Sequence, residues 1–344
     1  MRNPSRRRRL FLRLGAGIAL ANASIALSQP GKTAKRIAWY GGTGIDKRHV
    51  ENFREELSLL GWTDGRNASV RLFDALAGGT APRAQREEAQ IAAIIDWKPD
   101  VLVALTTNGA LALKRATTNV PIVFLWVEDP IQSGLVANLS YPGGNVTGVL
   151  NSEGPLAIKR LQVTRELLPK VNRVAAVFSE RNKAHFKTLL DEMQEASRQL
   201  GLELATVSLR TGGKVADMIS SLNAHGAQVV LPVGSLHFGG KGSQSVTDIL
   251  KDMLDYQNQS KVPFIDNSLD SVELGFCAAL GEPELETYRR AARIGAKILN
   301  GARPSQLPVD QAMQVQFWIN LKTAKAIGIS IPPLLLARAD RVVQ

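Results

Sequence analysis

Two adjacent carboxylates, Glu128 and Asp129, close an unbroken apolar run from Ile122 to Val127 and stand directly before Pro130. Acids so placed could share general acid–base work, accept hydrogen bonds from a ligand ammonium, or start a helix. Catalysis by the pair would need a nucleophile or a second acidic pair, and the sequence around them offers neither. Asp129 therefore reads either as the N-cap of a short helix over 131–138, with Pro130 at its first position, or as a ligand acceptor. Glu128 reads as a solvent-facing or salt-bridged group. A second cluster, Thr106-Thr107-Asn108, opens a helix after another apolar run, with Thr107 in an N-cap position. The free N–H groups of such a helix start suit a carboxylate. Trp39-Tyr40-Gly41-Gly42-Thr43-Gly44 adds a glycine-rich turn in which Tyr40 or Trp39 either stacks on a ligand ring or packs in the core, with Gly41 keeping the loop open. Further along, Gly234-Ser235 and Asp266-Asn267 end apolar runs in the same way, and Asp266 either meets a ligand amine or serves a turn. Glu282 is a weaker candidate of the same kind.

These residues are useful together only if the fold brings strand ends to one place, and the periodicity indicates that it does. Strand-like runs at 36–40, 69–73, 101–105 and 122–127 alternate with helical stretches at 49–60, 85–96 and 108–116. After Gly148 the pattern restarts, with helices at 156–168, 184–200, 215–224 and 246–256 between strands at 174–178, 203–207, 229–232 and 263–265. A strand at 276–280, a helix at 284–299 and a strand at 315–319 follow. Such alternation implies α/β architecture, two doubly wound parallel-sheet lobes with helices on both faces. Ligands of these sheets sit beyond the carboxyl ends of the strands, where all the candidate residues fall.

The segments LGWTDGRN (60–67), KPDVLVALTTNGALALKRAT (98–117), PIVFLWVEDPIQSGLVANLSYPGGNVTG (121–148), AARIGAKILNGARPSQLPVDQ (291–311) and INLKTAKAIGISIPPLLLARAD (319–340) carry a further signal. In this order they resemble the ABC-transporter substrate-binding family that includes tryptophan/tyrosine-binding lipoprotein-like members, over roughly 36–344. The resemblance implies a type I periplasmic binding protein fold, two lobes joined by three crossovers around a ligand cleft. It divides the chain into lobe 1 (36–150 plus 276–302) and lobe 2 (156–270 plus 310–344), with crossovers near 149–156, 268–275 and 302–312. It implies a small-molecule ligand, an amino acid of aromatic or other type, for which the strand ends offer Tyr40, Gly41, Thr106, Thr107, Asn108, Asp129, Gly234, Ser235, Asp266 and Asn267 as candidate contacts. It also implies an ABC permease of the inner membrane as partner, a monomer, and no cofactor. Gly234-Ser235 stand where an acidic or amide residue is common in the family, and 235–244 is long and glycine-rich, so the ligand's identity stays open.

Composition narrows the alternatives. The formal charge of +11 suggests nucleic acid, yet Arg2, Arg6, Arg7, Arg8, Arg9 and Arg13 carry six of those charges and leave the rest at +5. That basic stretch precedes a weakly apolar run of 14 residues, Leu14 to Leu27, short of the roughly 20 that span a bilayer. With A-x-A-like sites at Ala21-Asn22-Ala23 and Ala26-Leu27-Ser28, residues 1–28 read as a cleavable export signal, and Arg8-Arg9-Leu10-Phe11-Leu12-Arg13 resembles the twin-arginine motif. A periplasmic protein is expected, and without a lipobox cysteine a lipid anchor is not. Cys277 is the single cysteine, which excludes an intrachain disulfide and reads as a small core residue. Gly239-Gly240-Lys241-Gly242 lacks the spacing of a phosphate loop, and Gly42-Thr43-Gly44 lacks the third glycine of a dinucleotide fingerprint. His49, His185, His225 and His237 have no metal-ligand spacing, and no Gly-x-Ser-x-Gly elbow occurs. An α/β cleft enzyme, or a binding protein feeding a membrane receptor, are the competing expectations.

Overall fold

The structure is a computed structural model that describes residues 34–41, 47–74, 81–127, 129–150, 153–180, 186–210, 213–234, 246–311 and 314–344. The N-terminal segment with its expected export signal, Glu128, and Ser235 with the glycine-rich loop after it lie outside the described residues.

The first lobe is a parallel sheet in the order β2-β1-β3-β4-β5. Its strands are β1 (Lys35–Gly41), β2 (Ala68–Asp74), β3 (Val101–Leu105), β4 (Ile122–Val127) and β5 (Val146–Leu150). Helices cover both faces, so successive residues of one strand enter different cores. Ile37 and Trp39 of β1 pack with Val50, Phe53 and Leu57 of α1 (Lys47–Leu59) and with Tyr288 and Ala292 of α9 (Glu284–Leu299). Ala38 and Tyr40 face the other way, toward Ile94 of α2 (Arg83–Asp96) and Ala110 and Leu113 of α3 (Thr106–Ala116). This double burial is why β3 and β4 read as continuous apolar runs. Trp39 is fully buried, edge-on to Phe53 with ring centroids 4.9 Å apart and stacked on Tyr288 at 5.8 Å, so of its two readings the core one applies.

The second lobe begins with α4 (Glu153–Leu167) and the parallel set β7-β6-β8, formed by β6 (Arg173–Ser179), β7 (Glu203–Leu209) and β8 (Val229–Pro232). Between these strands run α5 (Lys187–Gln199) and α6 (Val215–Ala224), and α7 (Val246–Ser260) follows β8. The sheet continues through a bridge between Val230 and Phe264, where Val230 N donates to Pro263 O at 3.0 Å. Beyond it lie β9 (Ile265–Asp266), β10 (Ala278–Gly281), β11 (Gln316–Asn320) and β12 (Arg341–Val343). β10 is parallel to β9 and β11 antiparallel to β10.

One strand departs from expectation. The apolar run 276–280, expected in the first lobe, forms β10, which pairs with β9 and β11 in the second. The cause is the short connection: a single turn, α8 (Asp270–Leu274), separates β9 from β10 and sets them side by side. The second crossover accordingly lies at Glu282-Pro283 rather than 268–275, and it is α9, not the strand, that returns to the first lobe. The first and third crossovers run together. Asp310 N donates to Gly148 O and Leu150 N to Asp310 O, both at 2.8 Å, and the Asp310 carboxylate takes the Arg290 guanidinium of α9 with both oxygens. Cys277 is wholly buried and burial pushes its thiol up to about 12, in keeping with a core role.

Candidate functional site

Both sheets reverse their winding at an inner strand. In the first lobe the order changes hand between β1 and β3, and in the second between β6 and β8. At such a switch point the loops diverge and leave a crevice beyond the strand ends. Tyr40 and Gly41 end β1, and Thr106, Thr107 and Asn108 follow β3 directly, so these five candidates stand on neighbouring strands at the switch point.

Thr106 carries the main anomaly. Its φ is +68°, in the left-handed region that a β-branched residue rarely occupies. The helix starts here with Leu105 as N-cap, two residues earlier than expected, and Thr107 is not the cap. The Thr106 Oγ1 accepts a long hydrogen bond, 3.4 Å, from Gly109 N. Without a side-chain cap, the first-turn amides and the positive end of α3 are left for an acceptor from outside the helix. Strain of this order, about 1–2 kcal/mol per left-handed residue, is characteristic of sites where geometry serves a ligand. Tyr40 is 2% exposed and its ring lies against Gly109 of α3 within the buried cluster of Ala38, Ile94 and Leu113, so of its two readings the core one applies. Asp129 heads a turn and not the expected helix over 131–138. Its Oδ1 accepts the Gln132 amide at 2.8 Å and its carbonyl that of Ser133 at 3.1 Å.

On the second lobe, Gly234, Asp266 and Asn267 form one unit. Asn267 Nδ2 donates to Gly234 O at 3.3 Å, and Asp266 Oδ1 accepts the Asn267 amide at 2.8 Å. Burial pushes the Asp266 carboxyl pKa up, against the Ser271 hydroxyl, the Asn267 amide, the Arg160 charge and the Ser268 amide, all of which favour the ionised form. Gly234 has φ +64°, and a β-carbon there would sit 2.3 Å from the Phe186 ring. Glu282 belongs elsewhere: it lines a hollow at the second and third crossovers with Arg290 and Asp310. An exposed ion pair, Arg48 of α1 to Asp270 of α8 at 3.9 Å, links the two lobes, too solvated to contribute much.

The profile described as ABC transporter substrate binding protein matches residues 49–343. The chain belongs to that family. As a substrate-binding protein it falls among binding proteins rather than enzymes. A tyrosine-binding protein of Clostridioides difficile (strain R20291) is 24% identical over 279 residues, 81% of this chain and 76% of the relative. Among solved structures, an ABC domain from Streptococcus pneumonia in complex with L-Trp superposes with a TM-score of 0.76 at 20% identity. A conserved domain protein from Vibrio cholerae O1 biovar El Tor gives 0.74 at 26%. Each covers 90% of this chain and 100% of its own. The fold they share is the type I periplasmic binding protein fold, with its two lobes and three crossovers.

Periodicity hides further residues that pack next to these candidates. Glu153 and Arg160 of α4 are 2% and 0% exposed and form an ion pair beneath Gly234 and Asn267. Opposite charges seven residues apart, on the stripe that also carries Leu156, Ala157 and Leu161, were the available signal. Trp126, read as one more core residue of an apolar run, has φ +57° beside a register shift between β4 and β5. It is half-buried, and its Nε1 donates to Tyr288 Oη at 2.9 Å.

Proposed function

We propose that this substrate-binding protein is exported, works as a monomer, captures a free amino acid between its lobes and delivers it to an inner-membrane ABC permease. One pairing carries the ligand class: the strand ends of the two lobes offer opposite electrostatic demands. The uncapped start of α3 at Thr106, Thr107 and Asn108 suits a carboxylate, and Asp266 with Asn267 suits an ammonium. An α-amino acid carries both groups on one carbon. The names of the C. difficile and S. pneumonia relatives favour an aromatic side chain. Closure follows from differential contact, because only the closed arrangement lets both rims touch the ligand. The basic and weakly apolar start of the chain supports export through a cleaved signal over residues 1–28, with Arg8-Arg9 directing the twin-arginine route.

The test is thermal unfolding of the purified protein with each of the common amino acids. L-tryptophan or L-tyrosine at a hundredfold over Kd is expected to stabilise by roughly 2.7 kcal/mol. The reading falls if no amino acid moves the transition while another compound class does, or while a substrate is turned over. Mass spectrometry of protein recovered from outside the cytoplasm checks the signal, and an intact N-terminus would refute cleavage.

Thr106→Gly separates strain from function. Glycine removes the left-handed penalty but adds unfolded-state freedom worth about 0.5–1 kcal/mol. Stability measured by urea unfolding is therefore expected within about 1 kcal/mol of the parent. Affinity for L-tryptophan, measured calorimetrically, should fall roughly fivefold or more as the hydroxyl is lost. Equal affinity would remove Thr106 from the site.

A further inference from the structure

Arg160 lies wholly inside the second lobe, and its guanidinium contacts Glu153 and two carbonyls at the carboxyl ends of strands. Its Nη2 pairs with Glu153 and donates to Pro232 O at 3.3 Å, while Nη1 donates to Leu280 O at 3.4 Å. Those carbonyls stand at the ends of β8 and β10. Glu153 continues the chain of contacts, Oε1 accepting Gly234 N and Oε2 accepting Asn267 Nδ2, both at 3.2 Å. Three strand ends and the head of α4 thus close around one ion pair.

Stability does not account for it. A buried pair costs several kcal/mol per ion in desolvation, and apolar replacements of similar volume are often neutral or better. What apolar groups cannot do is orient the Asn267 amide. Its neighbours Glu153 Oε2 and Gly234 O only accept hydrogen bonds, so the NH2 must turn to them. The amide oxygen of Asn267 is then the end left for a ligand, beside the Asp266 carboxylate.

We propose that Glu153 and Arg160 are the positioning residues of this site, fixing Asn267 with its oxygen outward so that the second lobe recognises an ammonium donor. This rests on the amino-acid reading above. Glu153 opens α4 just after the first crossover and Leu280 stands just before the second, so the same pair seats the ammonium site on two of the three hinge segments.

The test uses L-tryptophan and indole-3-propionate, which lacks only the ammonium group, with the parent and the double variant Glu153→Leu, Arg160→Met. The parent is expected to prefer L-tryptophan by about ten- to a hundredfold. The double variant, with its unfolding midpoint within a few degrees of the parent, is expected to lose that preference while its affinity for indole-3-propionate stays the same. Retained preference, or equal weakening for both probes, would overturn the proposal. If the double variant does not fold, Glu153→Gln serves instead, because its amide can donate to Asn267 and let it turn; unchanged preference there is equally fatal. If the parent binds neither probe, the choice of tryptophan as ligand fails, and the pair is tested separately by hydrogen exchange. The Gly234 amide is expected to exchange at least tenfold faster in the variant, and equal protection would end the proposal.

Discussion

Alanine at Gly281 is expected to destabilise the protein by about 1–3 kcal/mol and to weaken ligand binding at least tenfold, an effect out of proportion to one methyl group. A β-carbon at this position would lie 1.9 Å from the carbonyl oxygen of Asn267 and 3.0 Å from its carbonyl carbon. Backbone atoms cannot turn aside as the tip of a side chain can, so either β10 or the β9 loop must move. Gly281 is held in register opposite Gln316 and opens the second crossover, which leaves the Asn267 segment to give way. Displacing that segment tilts the Asn267 amide from Glu153 and shifts the Asp266 carboxylate. Binding therefore suffers more than the stability loss implies. Gly144→Ala is the control, because nothing lies within 4 Å of a β-carbon there and its backbone needs no left-handed angle. Chemical denaturation and calorimetric titration of the two variants decide the matter. A Gly281→Ala protein that binds like the parent would show that the Asn267 loop is not part of the site.

The architecture was legible where burial alone determines it. Parallel strands covered on both faces must be apolar throughout, so β3, β4 and β6 stand out among amphipathic helices. The lobe that received β10 was not legible, because Phe276 to Leu280 would suit the interior of either sheet. A five-residue helix, α8, decided the pairing through connection length, and nothing in an apolar run records its neighbours. In the site, Thr106 could be placed by its position after a buried strand, but the helix start could not, since Leu105 is the N-cap and caps with no side chain. Residues of the turn after β4 looked helical because Asp-Pro is a frequent helix opening; here the Asp129 side chain closes a turn on Gln132 instead. Glu153 and Arg160 are not marked in the sequence for a different reason. Charged residues on a helix ordinarily face water, and their burial arises only when the ends of β8, β9 and β10 converge over α4.

The Asp266 carboxylate ties these threads together, since the fold bears its charge at a cost that a ligand can offset. Asp266→Asn keeps the shape of the side chain and an oxygen for the Asn267 amide but removes the charge. Because burial raises the carboxyl pKa in the folded state, this group favours folding most strongly when the pH is below the unfolded value of 3.8. As the pH rises from there through the raised folded value, the unfolded chain loses its proton first, and the contribution is progressively lost. The asparagine variant has no such loss, so its stability relative to the parent is expected to grow across that window and level off above it. Differences between the two proteins at each pH cancel the other carboxylates. Ligand affinity is expected to move oppositely. An ammonium favours the ionised carboxylate, so the parent should bind L-tryptophan more tightly as the pH climbs through the same window. The variant should bind roughly 10- to 150-fold more weakly at neutral pH, the value of a charged hydrogen bond, with little pH dependence. Unfolding curves and titrations at matched pH values read both trends. If the variant gains no relative stability with rising pH, the carboxylate is not desolvated; if it binds as the parent does, the ammonium is held elsewhere. The two trends together would distinguish a carboxylate kept for the ligand from one kept for its turn, because a turn aspartate would give the first trend without the second.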